Sequence, residues 1–249
     1  GIYTRSTYSG VNWERETSLE YFDPNSTDEF QTNAGLRIYG GAFRGMNLTR
    51  KKSFRVLFKG DYGATKLNFP LFGSEDATTS FDTIILRGGA NDAWNNWGDA
   101  DTQYITDQYM RDLQLALGQP GGHGTYVHLY INGLYWGLYN PVERPDVSFS
   151  ADYFGGEKEQ WDSIHDGVPT GESNSSTWNE MLNQVRAGAP TNEAYQMIQG
   201  NWPDGTRNPV YNDMLDVDNL IAYMFANIWG GTGDWPGHNW YAAAQRPPE

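Results

Sequence analysis

Runs of strand-forming hydrophobic residues occupy much of the first half of the chain. The runs Leu36–Tyr39, Phe54–Phe58 and Thr83–Arg87 predict three strands. The clearest pattern extends from Thr125 to Tyr139, where alternating residues lead into and out of Asn132-Gly133. That dipeptide suits the two positive φ angles of a type I′ turn, so the stretch predicts a β-hairpin.

Helical periodicity interrupts these strands once and then dominates the second half. The residues Ile105 to Ala116 predict one amphipathic helix, ended by Gly118, and Trp178 to Val185 suggest another. The strongest pattern extends from Val217 to Trp229, with apolar residues at successive intervals of three or four. Asp216 is its predicted N-cap and Gly230 ends it. We expect Tyr109 and Trp229 to lie on buried helix faces.

A first half made mainly of strands and a helical second half predict an α+β fold, with a junction near residues 140–145. The 249 residues are enough for one large domain or two packed lobes. No apolar run reaches the length of a membrane span. Because the chain begins at Gly1 rather than Met, we expect it to be a piece of a longer protein.

Charge and cysteine content exclude several classes of function. The net charge is −14, whereas a duplex nucleic-acid binder needs a basic face. The absence of cysteine excludes a disulfide scaffold, a thiolate metal site and a cysteine nucleophile. Together with abundant Gly, Trp and Tyr, it favours a secreted or surface bacterial protein.

The most informative chemistry lies near the end of the chain, where Asp234 and Asn239 follow the strongest helix in an Asp-x-x-x-x-Asn spacing. Kinase-type phosphoryl transfer needs a carboxylate beside the attacking hydroxyl and an amide oxygen on the metal ion. Asp28 and Asn33 have the same spacing, so the spacing alone decides nothing. The alternative is that Asp234 caps a turn and Asn239 begins a strand.

A basic segment in the first half supplies candidate phosphate ligands: Lys52, Arg55 and Lys59. A kinase needs a cation on an early strand to hold nucleotide phosphates, but a basic strand edge exposed to solvent is the alternative. The glycine-rich stretch 40–45 could present backbone amides to phosphate, or form an ordinary turn. Glu143, at the predicted junction, is a candidate for contact with the ribose or with a basic residue.

Four segments resemble the CotH kinase family, the atypical secreted-type kinases associated with bacterial spore coats. They are LRIYGGAFR (36–44), KKSFRVLF (51–58), LYINGLYWGLYNPVERPD (129–146) and LDVDNLIAYMFANIWGGTGDWPGHNWY (215–241). The resemblance implies a kinase-like fold of two lobes, with an N-lobe at about 29–140 and a C-lobe at about 141–249. Residues 1–28 resemble the end of a small β module that precedes such domains.

The resemblance also implies an activity, ATP-dependent phosphorylation of Ser or Thr in partner proteins. Asp234 corresponds to the catalytic aspartate and Asn239 to a ligand of Mg²⁺, with Ca²⁺ or Mn²⁺ as alternatives. Lys52, Arg55 and Glu143 correspond to family positions, and Lys59 joins them as a candidate nucleotide ligand. The family has a further metal-binding aspartate in a Trp-Asp pair, which would fall beyond Glu249. We therefore expect the C-lobe to be incomplete, and we assign the kinase activity to the full-length protein rather than to this chain alone.

Two other functions stay open from the sequence. A non-catalytic, kinase-like scaffold could bind polysaccharide or an extracellular protein through aromatic residues near loops, namely Trp94, Trp97, Trp235 and Trp240. The abundance of carboxylates also leaves a glycoside hydrolase open. A further cation, such as Ca²⁺, could bind the loop 92–101.

Overall fold

An antiparallel sheet of six strands organises the first of two units in the computed structural model, which describes residues 1, 3–45, 48–93, 102–188 and 191–246. The first unit comprises Gly1–Asp112 and Gly122–Arg144, and the second comprises Leu113–Gly121 and Pro145–Glu249. The structure contains both helices and antiparallel strands. The kinase-like arrangement of lobes and the domain boundary at residue 28 stay predictions.

The strands of the large sheet follow the order β1-β2-β3-β6-β8-β7. Their bounds are β1 Arg15–Phe22, β2 Glu29–Tyr39, β3 Ser53–Leu57, β6 Thr83–Arg87, β7 Val127–Ile131 and β8 Leu134–Val142. Two short strands, β4 Leu67–Asn68 and β5 Ser80–Phe81, pair with each other beside it. All three predicted strands and the predicted hairpin are present, and Asn132 and Gly133 have φ angles of 51° and 77°.

The core of the first unit forms on one face of this sheet, where alternate residues of the central strands point inward. Phe54, Val56 and Ile84 are almost completely buried, and Tyr139 joins them from β8. The pairing of Phe54 with Leu86 and of Val56 with Ile84 fixes the register of β3 against β6. A shift by one residue would turn this apolar set toward solvent, so the hydrophobic pattern specifies the register.

The strand β1 lies in the stretch that the resemblance assigns to a preceding module. It pairs with β2 along its whole length, from Arg15 opposite Leu36 to Phe22 opposite Glu29. It is an edge strand of the same sheet. Residues before position 29 therefore contribute backbone hydrogen bonds to the unit that contains β2 and β3.

The helix α1, Thr106–Ala116, confirms the predicted helix in the first half. At its start, the carboxylate of Asp92 accepts hydrogen bonds from the backbone amides of Gln103 and Thr106. Both oxygens of Asp92 are thus occupied by backbone donors. Residues 94–101, which include Trp94, Trp97 and most of the loop considered for Ca²⁺, lie outside the described residues.

The second unit contains four helices and a small antiparallel sheet among its described residues. The helices are α2 Val147–Phe154, α3 Ser176–Gly188, α4 Asn192–Ile198 and α5 Val217–Trp229. The strands β9 Trp161–His165, β10 Val168–Pro169 and β11 Tyr241–Gln245 form a sheet in the order β10-β9-β11. The Asp216 carboxylate accepts from the Asn219 amide at 2.9 Å, so the predicted N-cap of α5 is confirmed.

The expectation that Tyr109 and Trp229 lie on buried helix faces is wrong. Their side chains are 48% and 60% exposed, and Ile228 of α5 is 68% exposed. The buried side of α5 carries Ala226 and Asn227 instead. Periodicity reveals that a helix has an apolar face, but it does not reveal what covers that face.

None of the helices in the described part of the chain has the length and apolar character that a membrane span requires.

Candidate active site

The loop that joins α5 to β11 brings Asp234 and Asn239 together. The Asn239 Nδ2 lies 3.4 Å from the Asp234 Oδ2, and both residues are exposed. Asn239 has a φ of 69°, in the left-handed region that asparagine tolerates better than most residues. The spacing seen in the sequence therefore corresponds to two side chains in contact at the surface of the second unit.

Hydrogen bonds within the loop close it into a compact turn. The His238 amide donates to the Asp234 carbonyl at 2.9 Å, and the Trp240 indole Nε1 donates to the Pro236 carbonyl at 3.0 Å. The Trp240 ring packs on Trp178 of α3, with ring centroids 5.4 Å apart. Trp235 and Trp240 are both partly buried.

Lys52 precedes β3 and is only 1% exposed. Its Nζ donates to the carbonyls of Gly45 at 2.8 Å, Thr49 at 2.5 Å and Phe43 at 3.4 Å. Burial lowers the pKa of this ammonium group. Lys52 therefore binds two carbonyls of the glycine-rich stretch 40–45 and one that follows it, and it does so with all three of its N–H donors.

Lys59 and Arg55 contact other partners. The Lys59 Nζ donates to both carboxylate oxygens of Glu14, at 2.8 and 3.0 Å. The Arg55 Nε donates to the Thr83 Oγ1 at 3.0 Å, across the β3–β6 pair. Lys52, Arg55 and Lys59 thus do not converge on one point through these contacts.

Glu14 is itself the centre of a buried cluster, because Arg37 and Tyr62 also donate to it, at 2.5 and 2.9 Å. Burial alone would raise the pKa of Glu14, but the hydrogen bonds from Lys59, Tyr62 and Arg37 bring it below its usual value. Gly35 permits the cluster, since a Cβ there would come within 2.8 Å of the Glu14 Oε1.

Glu143 is buried at the end of β8 and binds His123. Its Oε2 accepts from the His123 backbone amide at 2.7 Å and lies 2.9 Å from the His123 Nδ1. The backbone amide of Glu143 also donates to the His123 carbonyl at 3.0 Å. The residue considered for ribose contact therefore fixes the segment that leads into the β7–β8 hairpin.

A family model described as CotH kinase protein matches residues 36–247. The chain belongs to the CotH kinase family. The match extends from the last residues of β2 to beyond β11 and includes Asp234, Asn239 and all four candidate nucleotide ligands. The comparison with curated protein sequences gives no match.

In this CotH family member, the Asp234–Asn239 pair offers one carboxylate and one amide oxygen to a ligand. Oxygen ligands suit Mg²⁺, which keeps several waters and takes one or two protein ligands together with substrate phosphates. The described residues contain no group of three or more His, Cys, Asp or Glu that could hold a metal ion. The donor set thus fits a metal held jointly with nucleotide, rather than a metal held by protein side chains alone.

Glu14, Lys51 and Asp166 were not among the predicted site residues, although Lys51 belongs to the predicted basic segment. Glu14 and Asp166 contact candidate site residues or their loop, and Lys51 lies under the rings of Tyr104 and Tyr139, 4.9 and 4.8 Å from their centroids. Burial lowers the pKa of Lys51 to about 8, and its Nζ donates to the Leu138 carbonyl. Asp166 had a local signal in the turn-forming dipeptide Asp166-Gly167, and Lys51 lies in the basic run, whereas Glu14 had no such signal.

Proposed function

We propose that this chain carries the catalytic residues of an ATP-dependent protein kinase, which transfers phosphate to Ser or Thr hydroxyls of a secreted or surface protein. The observation that supports the proposal most directly is the contact between Asp234 and Asn239, at 3.4 Å on an exposed loop. The match to the CotH kinase family over residues 36–247 gives that contact its chemical interpretation.

Asp234 is the proposed catalytic residue. Its carboxylate accepts or orients the proton of the attacking hydroxyl, which is the role of the aspartate in a kinase catalytic loop. The contact from the Asn239 amide holds one carboxylate oxygen, Oδ2, and leaves Oδ1 for the substrate. The exposure of both side chains lets a protein substrate approach them.

Asn239 is the proposed metal ligand, through its Oδ1. Bound Mg²⁺ neutralises charge on the nucleotide phosphates, and Mn²⁺ or Ca²⁺ could take the same oxygen ligands. The second unit offers this amide oxygen next to a carboxylate, which is the donor chemistry that a magnesium nucleotide needs.

In this proposal, the candidate nucleotide ligands of the first unit act by holding other parts of the chain in place. Lys52 binds the carbonyls of Phe43 and Gly45, in the glycine-rich stretch whose amides are candidates for phosphate binding, and the carbonyl of Thr49. Glu143 fixes His123, and Lys59 pairs with Glu14. Direct contact of Lys52, Arg55, Lys59 or Glu143 with ATP stays a prediction.

A second function, a non-catalytic module that binds polysaccharide, is favoured by one surface. Tyr130 and Tyr135 on the β7–β8 hairpin are 61% and 56% exposed, and their ring centroids lie 5.3 Å apart. Exposed aromatic rings that face solvent together often mark a binding surface. This hairpin lies outside the Asp234 loop, so the two functions can be tested separately.

The test is transfer of the γ-phosphate from radiolabelled ATP with Mg²⁺ to dephosphorylated casein, myelin basic protein and the chain itself. Wild type is compared with Asp234→Asn, and Asp204→Asn is the matched control. Asp204 is also exposed, and it accepts hydrogen bonds from Thr206 in a turn of the same unit. We expect Asp234→Asn to lose transfer by about 10²-fold or more, the contribution typical of a general base, and Asp204→Asn to keep it.

Equal transfer by wild type and Asp234→Asn would remove Asp234 from the mechanism. Calorimetry with ATP·Mg²⁺ and with a panel of cell-wall polysaccharides separates the alternatives. Binding of a polysaccharide without binding of nucleotide would favour the non-catalytic module.

A further inference from the structure

Asp166 lies at the tip of the hairpin between β9 and β10, beside the loop of Asn239. His165 is the last residue of β9, and it pairs with Val168 of β10 and with Tyr241 of β11. Asp166 and Gly167 then form the turn, with φ angles of 52° and 81°. Antiparallel pairing places Asp166 opposite Trp240, the residue that follows Asn239.

Two hydrogen bonds join Asp166 to Trp240. The Asp166 amide donates to the Trp240 carbonyl at 3.2 Å, which extends the β9–β11 ladder by one position. The Trp240 amide donates to the Asp166 Oδ1 at 3.1 Å. Because the backbone turns away at residue 166, the carboxylate replaces the main-chain carbonyl as acceptor, and a charged acceptor gives a stronger hydrogen bond.

The second oxygen of Asp166 faces the other neighbour of Asn239. Its Oδ2 lies 3.8 Å from the His238 Nδ1 and 3.5 Å from the His165 Nε2. Burial, and to a smaller extent the charge of Asp166, raise the pKa of Tyr223, whose ring packs against Trp235. The carboxylate therefore lies against the loop on both sides of Asn239.

The far end of β11 is fixed in the same manner. Arg246 donates through Nε and Nη2 to the Oδ1 of Asp162, at 3.0 and 2.8 Å, and the side chain of Asp162 is only 2% exposed. Two aspartates on the β9 hairpin thus bind residues just before and just after β11. One of these contacts lies next to the candidate metal ligand.

We propose that Asp166 is a positioning residue that orients Asn239, and with it the Asn239–Asp234 contact, for the phosphoryl transfer proposed above. It does so by fixing the peptide of Trp240 and flanking His238, so the amide oxygen of Asn239 is presented at a constant place. This inference rests on the proposed function for its catalytic consequence, but the ordering of the loop can be measured without activity.

The first test is amide hydrogen exchange by NMR in wild type, Asp166→Asn and Asp166→Gly. Glycine removes the carboxylate while accepting the positive φ, and asparagine keeps an oxygen acceptor and tolerates that φ. Asp204→Gly is the matched control, because Asp204 accepts from a backbone amide in another turn. We expect the Trp240 amide of wild type to be protected like the amides of β11, and its protection to fall about tenfold or more in Asp166→Gly only.

The second test is the Mg²⁺ concentration that gives half-maximal phosphate transfer. A variant that only lowers the folded fraction reduces the rate but leaves this concentration unchanged. We expect it to rise at least about threefold in Asp166→Gly, because a misplaced ligand binds the metal nucleotide less well. Asp166→Asn should recover most of the wild-type value.

An unprotected Trp240 amide in wild type would overturn the proposal, whatever the variants do. So would a wild-type half-saturating Mg²⁺ concentration in a folded Asp166→Gly variant. If wild type transfers no phosphate, the proposed function fails. In that case the exchange of the Trp240 amide in wild type and in Asp166→Gly still decides whether Asp166 orders the loop, and equal protection in the two would show that it does not.

Discussion

The candidate cations Lys52 and Lys59 of the first unit are bound to protein groups, whereas the Asp234–Asn239 pair of the second unit is exposed. Lys52 is buried and uses three N–H donors on backbone carbonyls, and Lys59 pairs with the buried Glu14. Asp234 and Asn239 are exposed and contact each other on a loop. The basic segment and the Asp-x-x-x-x-Asn spacing look equally suited to phosphate chemistry in the sequence, but Lys52 of the basic segment is buried, whereas Asp234 and Asn239 are both exposed.

This difference predicts that charged residues of the first unit act mainly on stability. Removing one partner of a buried, hydrogen-bonded charge leaves the other partners unsatisfied and is costly. Removing an exposed carboxylate costs little folding free energy, whatever it does to activity. Measurements of unfolding in matched variants can therefore separate the two regions.

Lys52→Met should show the largest loss of stability. The methionine fills a similar volume but leaves the carbonyls of Gly45 and Thr49 without their donor, at a cost of about 3 kcal/mol in the free energy of unfolding. Urea unfolding measures this. Lys66→Met is the control, since the Lys66–Asp82 pair at 3.3 Å is partly exposed and should contribute less than about 1 kcal/mol. A Lys52→Met variant as stable as wild type would mean that Lys52 is not bound in this way.

Glu14→Gln should come next, with a loss of about 2 kcal/mol at neutral pH. The charge of Glu14 satisfies donors from Arg37, Lys59 and Tyr62, and glutamine satisfies them less well. Glu16→Gln, on the exposed part of β1, is the matched control and should unfold like wild type.

The loss of stability in Glu14→Gln should depend on pH. The folded pKa of Glu14 is below the usual value of a glutamate, so the carboxylate stabilises the fold fully above about pH 5. As the pH falls through the folded pKa, the carboxylate takes up a proton and this stabilisation is lost. The difference between wild type and Glu14→Gln should therefore narrow in acid. A difference that stays constant to pH 3 would contradict the assignment.

Ile228→Lys, on the exposed face of α5, should change the free energy of unfolding by less than about 1 kcal/mol. Ile228 is 68% exposed, whereas Ala226 on the same helix is 2% exposed. Ala226→Lys should be far more damaging, because it places a charge at a buried position. Similar losses in the two variants, measured by urea unfolding, would show that the apolar face of α5 is covered in solution.

Local patterns predicted the strands and helices that depend on local chemistry. The Asn132-Gly133 hairpin, the three central strands and the Asp216 cap of α5 are present because turn residues, alternation and capping are encoded within a few positions. The sheet of the second unit was not predicted in full, since β9 pairs with β11 across more than seventy residues of sequence. Pairing over that separation leaves no local signal.

The candidate site, too, was predictable only in those features that depend on residues close together in the sequence. The spacing of Asp234 and Asn239 is local, and the loop brings the two side chains together as expected. The partners of Lys59 and Glu143 were not predicted, because Glu14 and His123 lie far from them in the chain. The partners of Lys52 were not predicted either, because they are backbone carbonyls and have no side-chain signature. The residue type shows which chemistry a side chain can perform, and its burial and partners decide whether a ligand can reach it.

The most direct test is the rate of γ-phosphate transfer per folded molecule, measured for wild type, Asp234→Asn and Asn239→Gly, with the free energy of unfolding of each. Glycine at position 239 keeps the positive φ while removing the amide. Both variants should stay within about 0.5 kcal/mol of wild type in stability and lose transfer by about 10²-fold or more. Undiminished transfer in the stable Asp234→Asn variant would contradict the claim that this exposed pair performs the chemistry.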